Sequence, residues 1–190
     1  MLAAAAVTVA ACAPEGVDGS SVAVDDSKDA TTRAPRIVDD SGRPPVTFDP
    51  CLDIPDEVLT EAGYDPRTED SADYPMGDYT FLGCRYRGLD EVPGVMRRYG
   101  LNILSGNVTL DEEIQKDGSI STEISINGRR ALLEVDPAST DTCAIALETG
   151  YGIVIFSRIY TADHTRAVPR EEWCRGLEST VELIEPSIRA

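Results

Sequence analysis

Apolar and polar residues alternate at every second position through Ile120, Thr122, Ile124 and Ile126, and again through Tyr151, Ile153, Ile155, Ser157 and Ile159. Successive strand side chains point to opposite faces, so a period of two predicts strands with one face turned to a core. The same reading places strands over 79–87, 97–105, 119–126, 129–135, 142–148 and 151–160. Asn127-Gly128 joins the third to the fourth. That pair suits a type I′ turn, where both central residues take positive φ, and predicts a hairpin. Thr149-Gly150 turns the last pair of strands.

Elsewhere the spacing is helical. Residues 55–62 place Pro55 at the first helical position, acids in the first turn, Val58, Leu59 and Ala62 on one face, and Gly63 as the stop. Asp49-Pro50 opens an earlier helical turn. Thr109 and Glu112 have the spacing of a capping box, predicting a short helix over 110–116. Between about Arg170 and Ile184, Trp173, Leu177, Val181 and Ile184 form an apolar stripe that can lie across the sheet, with Pro186 ending the helix. Residues 64–78 lack periodicity, are rich in Asp, Pro, Gly and Tyr, and read as a surface loop. The expected fold is α+β: a mainly antiparallel sheet of about six strands with an N-terminal and a C-terminal helix packed on it.

The first residues read as an address. Leu2–Ala11 is an uncharged run of apolar and small side chains ending at Cys12. It is about half the roughly 20 residues that a membrane-spanning helix needs, and it suits the apolar region of an export signal. Val9-Ala10-Ala11-Cys12 resembles the lipobox of a bacterial lipoprotein, which implies cleavage before Cys12 and acylation of that cysteine. The competing readings are an ordinary secretory signal and a short buried helix. No Lys or Arg precedes the run, where a signal carries them, and a true start upstream of Met1 would account for this.

From Ala13 to Pro45 there is no Phe, Trp or Tyr, and Asp, Ser, Thr, Pro and Gly are frequent. Such a stretch cannot bury enough surface to offset its chain entropy and reads as a disordered tether. A flexible chain of that length spans about 30 Å. The competing arrangement is an ordered arm over Pro35–Pro45 lying on the domain. The organisation expected is therefore 1–11 as signal peptide, 12–45 as lipidated cysteine and tether, and 46–190 as one α+β domain.

Charge narrows the partners. The 190 residues carry 17 Lys and Arg against 34 Asp and Glu, a formal charge of −17. That disfavours nucleic acid and close approach to anionic lipid or polyanionic wall polymer, since like charges repel within a Debye length of about 8 to 10 Å. Arg85, Arg87, Arg97, Arg98, Arg129 and Arg130 lie in or beside predicted strands, where they form either a local basic patch or simply a solvated sheet face.

With Cys12 reserved for lipid, Cys51, Cys84, Cys143 and Cys174 remain, an even number that suggests two disulfides in an oxidising, exported compartment. Three connectivities are possible. The one favoured joins Cys51 to Cys84 and Cys143 to Cys174, each tying a helix start to a strand. No two of these cysteines have the short spacing of structural zinc motifs, which argues against metal.

Several segments together resemble a family: Phe48-Asp49-Pro50-Cys51, Gly83-Cys84-Arg85-Tyr86, Asn127-Gly128-Arg129-Arg130-Ala131 and Cys143-Ala144-Ile145-Ala146-Leu147. They are similar to the actinobacterial lipoproteins of the domain of unknown function 3558 family, over roughly residues 46–188. Tyr86 stands where that family often has Trp, and Trp173 precedes Cys174 where Asp-Pro is more usual. The resemblance implies a lipid-anchored extracytoplasmic α+β domain, and carries no established activity with it.

Motifs for chemistry are sparse. His164 is the one histidine, in Asp163-His164-Thr165 after the last strand, and a triad or zinc-water enzyme needs an orienting partner or further ligands around it. No G-x-S-x-G elbow, phosphate-binding glycine loop, H-E-x-x-H or EF-hand loop occurs. Asn107-Val108-Thr109 matches a glycosylation sequon, but Thr109 is better explained as a helix cap. No residue is given a catalytic role, and no cofactor or metal is expected. The reading is a non-enzymatic binding or accessory lipoprotein, held by Cys12 on the outer face of the cytoplasmic membrane, with a protein partner or hydrophobic ligand. The alternatives are a carrier with a lipid pocket between sheet and helix, and a hydrolase centred on His164.

Overall fold

The computed structural model describes residues 42–73, 76–89, 99–138, 142–160 and 170–188. The apolar N-terminal run, Cys12, most of the tether, Arg97, Arg98 and His164 lie outside these residues. In chain order the elements are α1 (Asp56–Glu61), β1 (Tyr64–Ser71), β2 (Phe81–Gly88), β3 (Tyr99–Gly106), α2 (Leu110–Asp117), β4 (Ser121–Ile126), β5 (Arg129–Glu134), β6 (Thr142–Glu148), β7 (Ile153–Tyr160) and α3 (Leu177–Ile184). The strands form one seven-stranded sheet in the order β1-β2-β3-β7-β6-β5-β4. Every neighbouring pair is antiparallel, as expected for this α+β chain.

Local chemistry accounts for several elements. Thr109 and Glu112 close the capping box of α2: the Glu112 amide donates to Thr109 Oγ1 at 3.2 Å, and the Thr109 amide donates to Glu112 Oε2 at 2.8 Å. This satisfies two N–H groups that a helix start otherwise leaves without partners. Asn127 and Gly128 take φ of 49° and 88°, so the β4–β5 hairpin turns where two positive φ values are needed.

The sheet buries both faces unequally. On one face α1, α3 and the segment around Phe48–Ile54 cover a core that includes Tyr64, Tyr86, Leu101, Ile103, Ile145, Phe156, Trp173, Leu177, Val181 and Ile184. On the other face a smaller cluster of Phe81, Val108, Leu110, Leu132, Ala146 and Ile153 lies where α2 docks. α2 has only eight residues, so it covers part of that face. Both expected disulfides form: Cys51–Cys84 ties the segment before α1 to β2, and Cys143–Cys174 ties β6 to the segment before α3. Loops of 33 and 31 residues are closed, each contributing about 3 to 4 kcal/mol in the chain-entropy model.

Three expectations need correction. The loop expected over 64–78 contains β1, the seventh strand. Only Tyr64 of β1 is buried, so edge pairing with β2, with an irregularity between Asp65 and Asp70, holds a polar segment that has no apolar period. The helix expected over Arg170–Ile184 is broken. Arg170–Glu172 is a 3-10 turn, Gly176 has φ 73°, and α3 begins only at Leu177, although the apolar stripe from Trp173 to Ile184 does reach the core. In β7 the alternation meets a core only in part: Ile153 and Ile155 pack in the smaller cluster, Val154, Phe156 and Tyr160 beside Arg158 face the larger core, and Ile159 is 46% exposed.

The end of the expected tether is also described. Arg43 donates to Glu112 Oε1 at 2.6 Å and Oε2 at 3.0 Å, donates to the Asn107 carbonyl at 3.2 Å, and stacks 4.3 Å from the Tyr79 ring centroid. Arg43 thus lies against the domain, and the part of the Pro35–Pro45 arm before residue 42 lies outside the described residues.

Candidate functional site

Antiparallel pairing places residues of different strands in rows on the face that carries α2. One row runs Asp70, Arg85, Asn102, Ser157, Ala144, Glu134 and Ser121 across all seven strands. A second runs Arg87, Gly100, Ile159 and Thr142. These rows lie beyond the small α2 cluster, whose rows contain Phe81, Ile153, Ala146 and Leu132. The strands that fold by pairing and by packing on the opposite face therefore leave polar and small side chains here.

A trough follows from that composition. One cavity of about 310 Å³ is lined by Thr68, Asp70, Arg85, Arg87, Asn102 and Ile159, with Gly100 in its lining. An adjoining one of about 430 Å³ is lined by Ala72, Asp73, Arg85, Asn102, Leu104 and Ile159. Arg85, Asn102 and Ile159 belong to both, so the two form a continuous depression beside the β1 edge. Both volumes fall in the range of about 300 to 1,000 Å³ typical of small-ligand sites.

The polar groups of the trough are differently engaged. Arg85 donates to Asp70 at 2.5 Å in an exposed pair. The Arg87 guanidinium has no carboxylate partner among the described residues, while its backbone amide donates to Thr68 Oγ1 at 2.8 Å. Asp73 accepts from the Gly83 amide at 2.8 Å, closing the far wall. Asn102 Oδ1 is shielded from solvent and has no hydrogen-bond partner among the described residues.

At the opposite end of the long row, Glu134 is pushed up to about 7. Its main cause is desolvation, followed by the negative charges of Glu113 and Asp117 on α2, with Lys116 acting in the other direction. Glu134 Oε1 likewise has no hydrogen-bond partner among the described residues. Burial also raises Glu113, which Lys116 partly offsets through a 3.2 Å pair. Glu112 behaves oppositely: hydrogen bonds from Arg43 and the Thr109 amide hold it at about 2.

A third polar group is structural. Arg158 is 4% exposed and faces the larger core. It donates to Tyr64 Oη at 2.9 and 3.2 Å, to Thr180 Oγ1 at 3.0 Å, and to the carbonyls of Arg175 and Gly176, and it lies 5.1 Å from the Tyr99 ring centroid. No carboxylate pairs with it among the described residues. It fastens β7 to the turn that precedes α3. Burial raises the Tyr64 phenol, an effect that Arg158 opposes.

The arginines singled out in the sequence separate. Arg85 and Arg87 share the trough. Arg129 turns to the α3 side, donating to Glu185 at 2.5 Å and to the Ile188 carbonyl at 3.0 Å. Arg130 pairs with Glu148 and Asp111 at 3.2 and 3.5 Å. The four domain cysteines come together as the two bridges, and they are structural. Asn102, Ile159 and Glu134 were missed as site residues. A strand carrying Asn between Leu101 and Ile103 was the available signal, since a polar residue in an apolar strand marks the face left uncovered. The helix–sheet interface imagined for a lipid pocket contains fully buried Ile103, Ile145, Phe156 and Leu177, and the trough lies on the other face.

Taken together, the chain is a disulfide-braced α+β domain with a half-covered antiparallel sheet. It belongs to the DUF3558 family, proteins of unknown function, whose family model matches residues 7–187. No curated protein and no solved structure gives a significant match.

Proposed function

We propose that this protein is an extracytoplasmic lipoprotein, anchored through acylated Cys12, that presents the trough on its sheet as a non-enzymatic binding surface. The observation that carries the reading is the use of the cysteines. Of five, four are consumed by two intramolecular disulfides, which persist outside the cytosol, and the one left over is Cys12 behind an apolar run. Among the described residues no helix is long and apolar enough to cross a membrane. Acylation supplies attachment by another route, at about 0.8 kcal/mol for each buried CH₂.

The trough supports a binding role because it exposes recognition groups: the Arg87 guanidinium, the Arg85–Asp70 pair and an exposed isoleucine. The test is metabolic labelling of cells with an alkyne fatty acid, followed by intact-mass measurement. The expected product lacks residues 1–11, carries acyl chains on Cys12 and partitions with membranes, and Cys12→Ala abolishes both label and partitioning. An unmodified Cys12 with residues 1–11 still attached overturns the reading.

A further inference from the structure

We infer that the outer edge of β4 receives an extended segment of a partner protein as a further antiparallel strand, one in which cationic side chains alternate with apolar ones. This is a second interaction surface and draws nothing from the trough. β4 ends the sheet, with no strand beyond it among the described residues. Its outward groups follow from register. A two-residue turn closes on a hydrogen-bonded pair, so Ile126 bonds to Arg129, and the alternation of the ladder makes Ile124 and Thr122 the next residues bonded to β5. The Val135 amide, which donates to the Ile120 carbonyl at 3.2 Å, continues the same series. Ser121, Glu123 and Ser125 therefore turn their amides and carbonyls away from β5, and no backbone partner meets them among the described residues.

The two edges of the sheet are built differently. β1 carries Pro66, the charged residues Asp65, Arg67, Glu69 and Asp70, and a break in register between Asp65 and Asp70. Such features keep an exposed edge from pairing. β4 pairs with β5 without interruption from Ser121 to Ile126, contains no proline, and has Glu123 as its one charge. Thr122, Ile124 and Ile126 are β-branched and favour extended backbone. One edge is guarded and the other is open.

The chemistry of the occupant comes from the two rows of β4 side chains. Even-numbered residues face the larger core, where Ile126 is buried and Ile124 is partly buried at the sheet's margin. Apolar side chains arriving beside Ile124 extend that core. Odd-numbered residues face the α2 side, and the middle one is Glu123, which is exposed and opposite Leu132 of the smaller cluster. The nearby cations of that face, Lys116 and Arg130, are already paired with carboxylates. Arg170 lies by Thr122 and Leu133 of the other face, donating to the Val135 carbonyl at 3.5 Å. Glu123 has no ion pair among the described residues, so the unmatched charge at the middle of this edge is negative, on a chain of net charge −17. It selects Lys or Arg directly opposite, and it disfavours a second copy, which brings the same negative charge.

The experiment uses the full chain in phosphatidylcholine nanodiscs and the fluorescein-labelled peptide Lys-Val-Lys-Val-Lys-Val-Lys, followed by anisotropy. Its counterpart with Glu at every Lys position reports the charge requirement. Two N-methylated forms report the main-chain pairing. In an antiparallel pair the residues opposite Ser121, Glu123 and Ser125 make the bonds, and these are the Lys residues, whereas the Val amides point away from β4. The expected result is saturable binding of the Lys peptide, weakened about tenfold or more by N-methylation at Lys and little by N-methylation at Val. The Glu peptide should bind about tenfold more weakly or less. Glu123→Lys and Ser125→Pro should each weaken the Lys peptide by about fivefold, the second by removing an outward amide. Glu123 is exposed, so its variant keeps the test valid if Ser125→Pro fails to fold. Equal binding of the two N-methylated forms, equal binding of the Lys and Glu peptides, or a Glu123→Lys variant that binds as the parent does overturns the inference. Absence of binding at about 1 mM, a level at which even weak complexes form, overturns it too. A dimer in sedimentation equilibrium that Ser125→Pro dissociates makes a second copy the occupant and overturns the assignment to a partner.

Discussion

Neutralising Glu134 should stabilise this domain, and only at neutral to alkaline pH. The carboxyl is half-buried beneath α2, has an oxygen without a partner, and meets Glu113 and Asp117, so it holds its proton up to about 7 against an ordinary 4.5. A folded-state value above the unfolded one means that the folded chain binds the extra proton in this interval. Stability is then unaffected below about 4.5, falls as pH rises through the window, and reaches its full deficit above about 7. At about 1.4 kcal/mol per pH unit the interval corresponds to about 3 kcal/mol, and solvent screening of a half-buried group reduces this to about 2.

Glu134→Gln removes the charge at nearly constant volume. Urea unfolding of the oxidised protein should find the variant about 2 kcal/mol more stable than the parent at pH 8, and within about 0.5 kcal/mol of it at pH 4.5. A carboxyl ¹³C titration locates the midpoint directly, and Glu113→Gln should lower it, because the Glu113 charge is one of its causes. A stability gain of equal size at both pH values, or a variant less stable at pH 8, would refute the electrostatic argument.

Other outcomes follow from the same geometry. Replacing Cys143 and Cys174 together by Ser should cost about 3 to 4 kcal/mol, visible in denaturant unfolding as a lowered midpoint; an unchanged midpoint would show that the bridge is not formed in solution. Arg158→Ala should cost about 3 kcal/mol or more, since it leaves a core void and strips Tyr64, Thr180 and two carbonyls of a donor; a loss below about 1 kcal/mol by calorimetry would contradict the role given to this guanidinium. Arg43→Ala should cost about 1 kcal/mol at pH 7, where the pair with half-exposed Glu112 is intact. Glu112 is depressed, so that contribution is present above about 4.5 and vanishes as pH falls through about 2; the same difference between Arg43→Ala and parent at pH 2 and pH 7 would count against it.

Much of this molecule is written in nearest-neighbour chemistry. The Asn127-Gly128 turn, the Thr109 capping box and the period-2 run of β4 are properties of a few adjacent residues, and the chain needs no distant contact to favour them. The sequence favoured the pairing of Cys51 with Cys84 and Cys143 with Cys174 without fixing it, since joining helix-side to strand cysteines also allows Cys51 with Cys143 and Cys84 with Cys174, and the fold decides between them. The family was recognisable from short blocks around those positions.

Other features depend on what arrives from far along the chain. β1 is a strand because β2 offers it an edge, and a polar octapeptide carries no trace of that offer. Both sides of β7 are apolar, so its periodicity could not say which side faces the larger core until α3 was laid on it. Asn102, Arg85 and Ile159 come from three different strands and meet only through register, which is fixed by hydrogen bonding across the sheet rather than by any one segment. Glu134 is one acid among many until α2 closes over it, because the dielectric around a side chain is set by its neighbours in space.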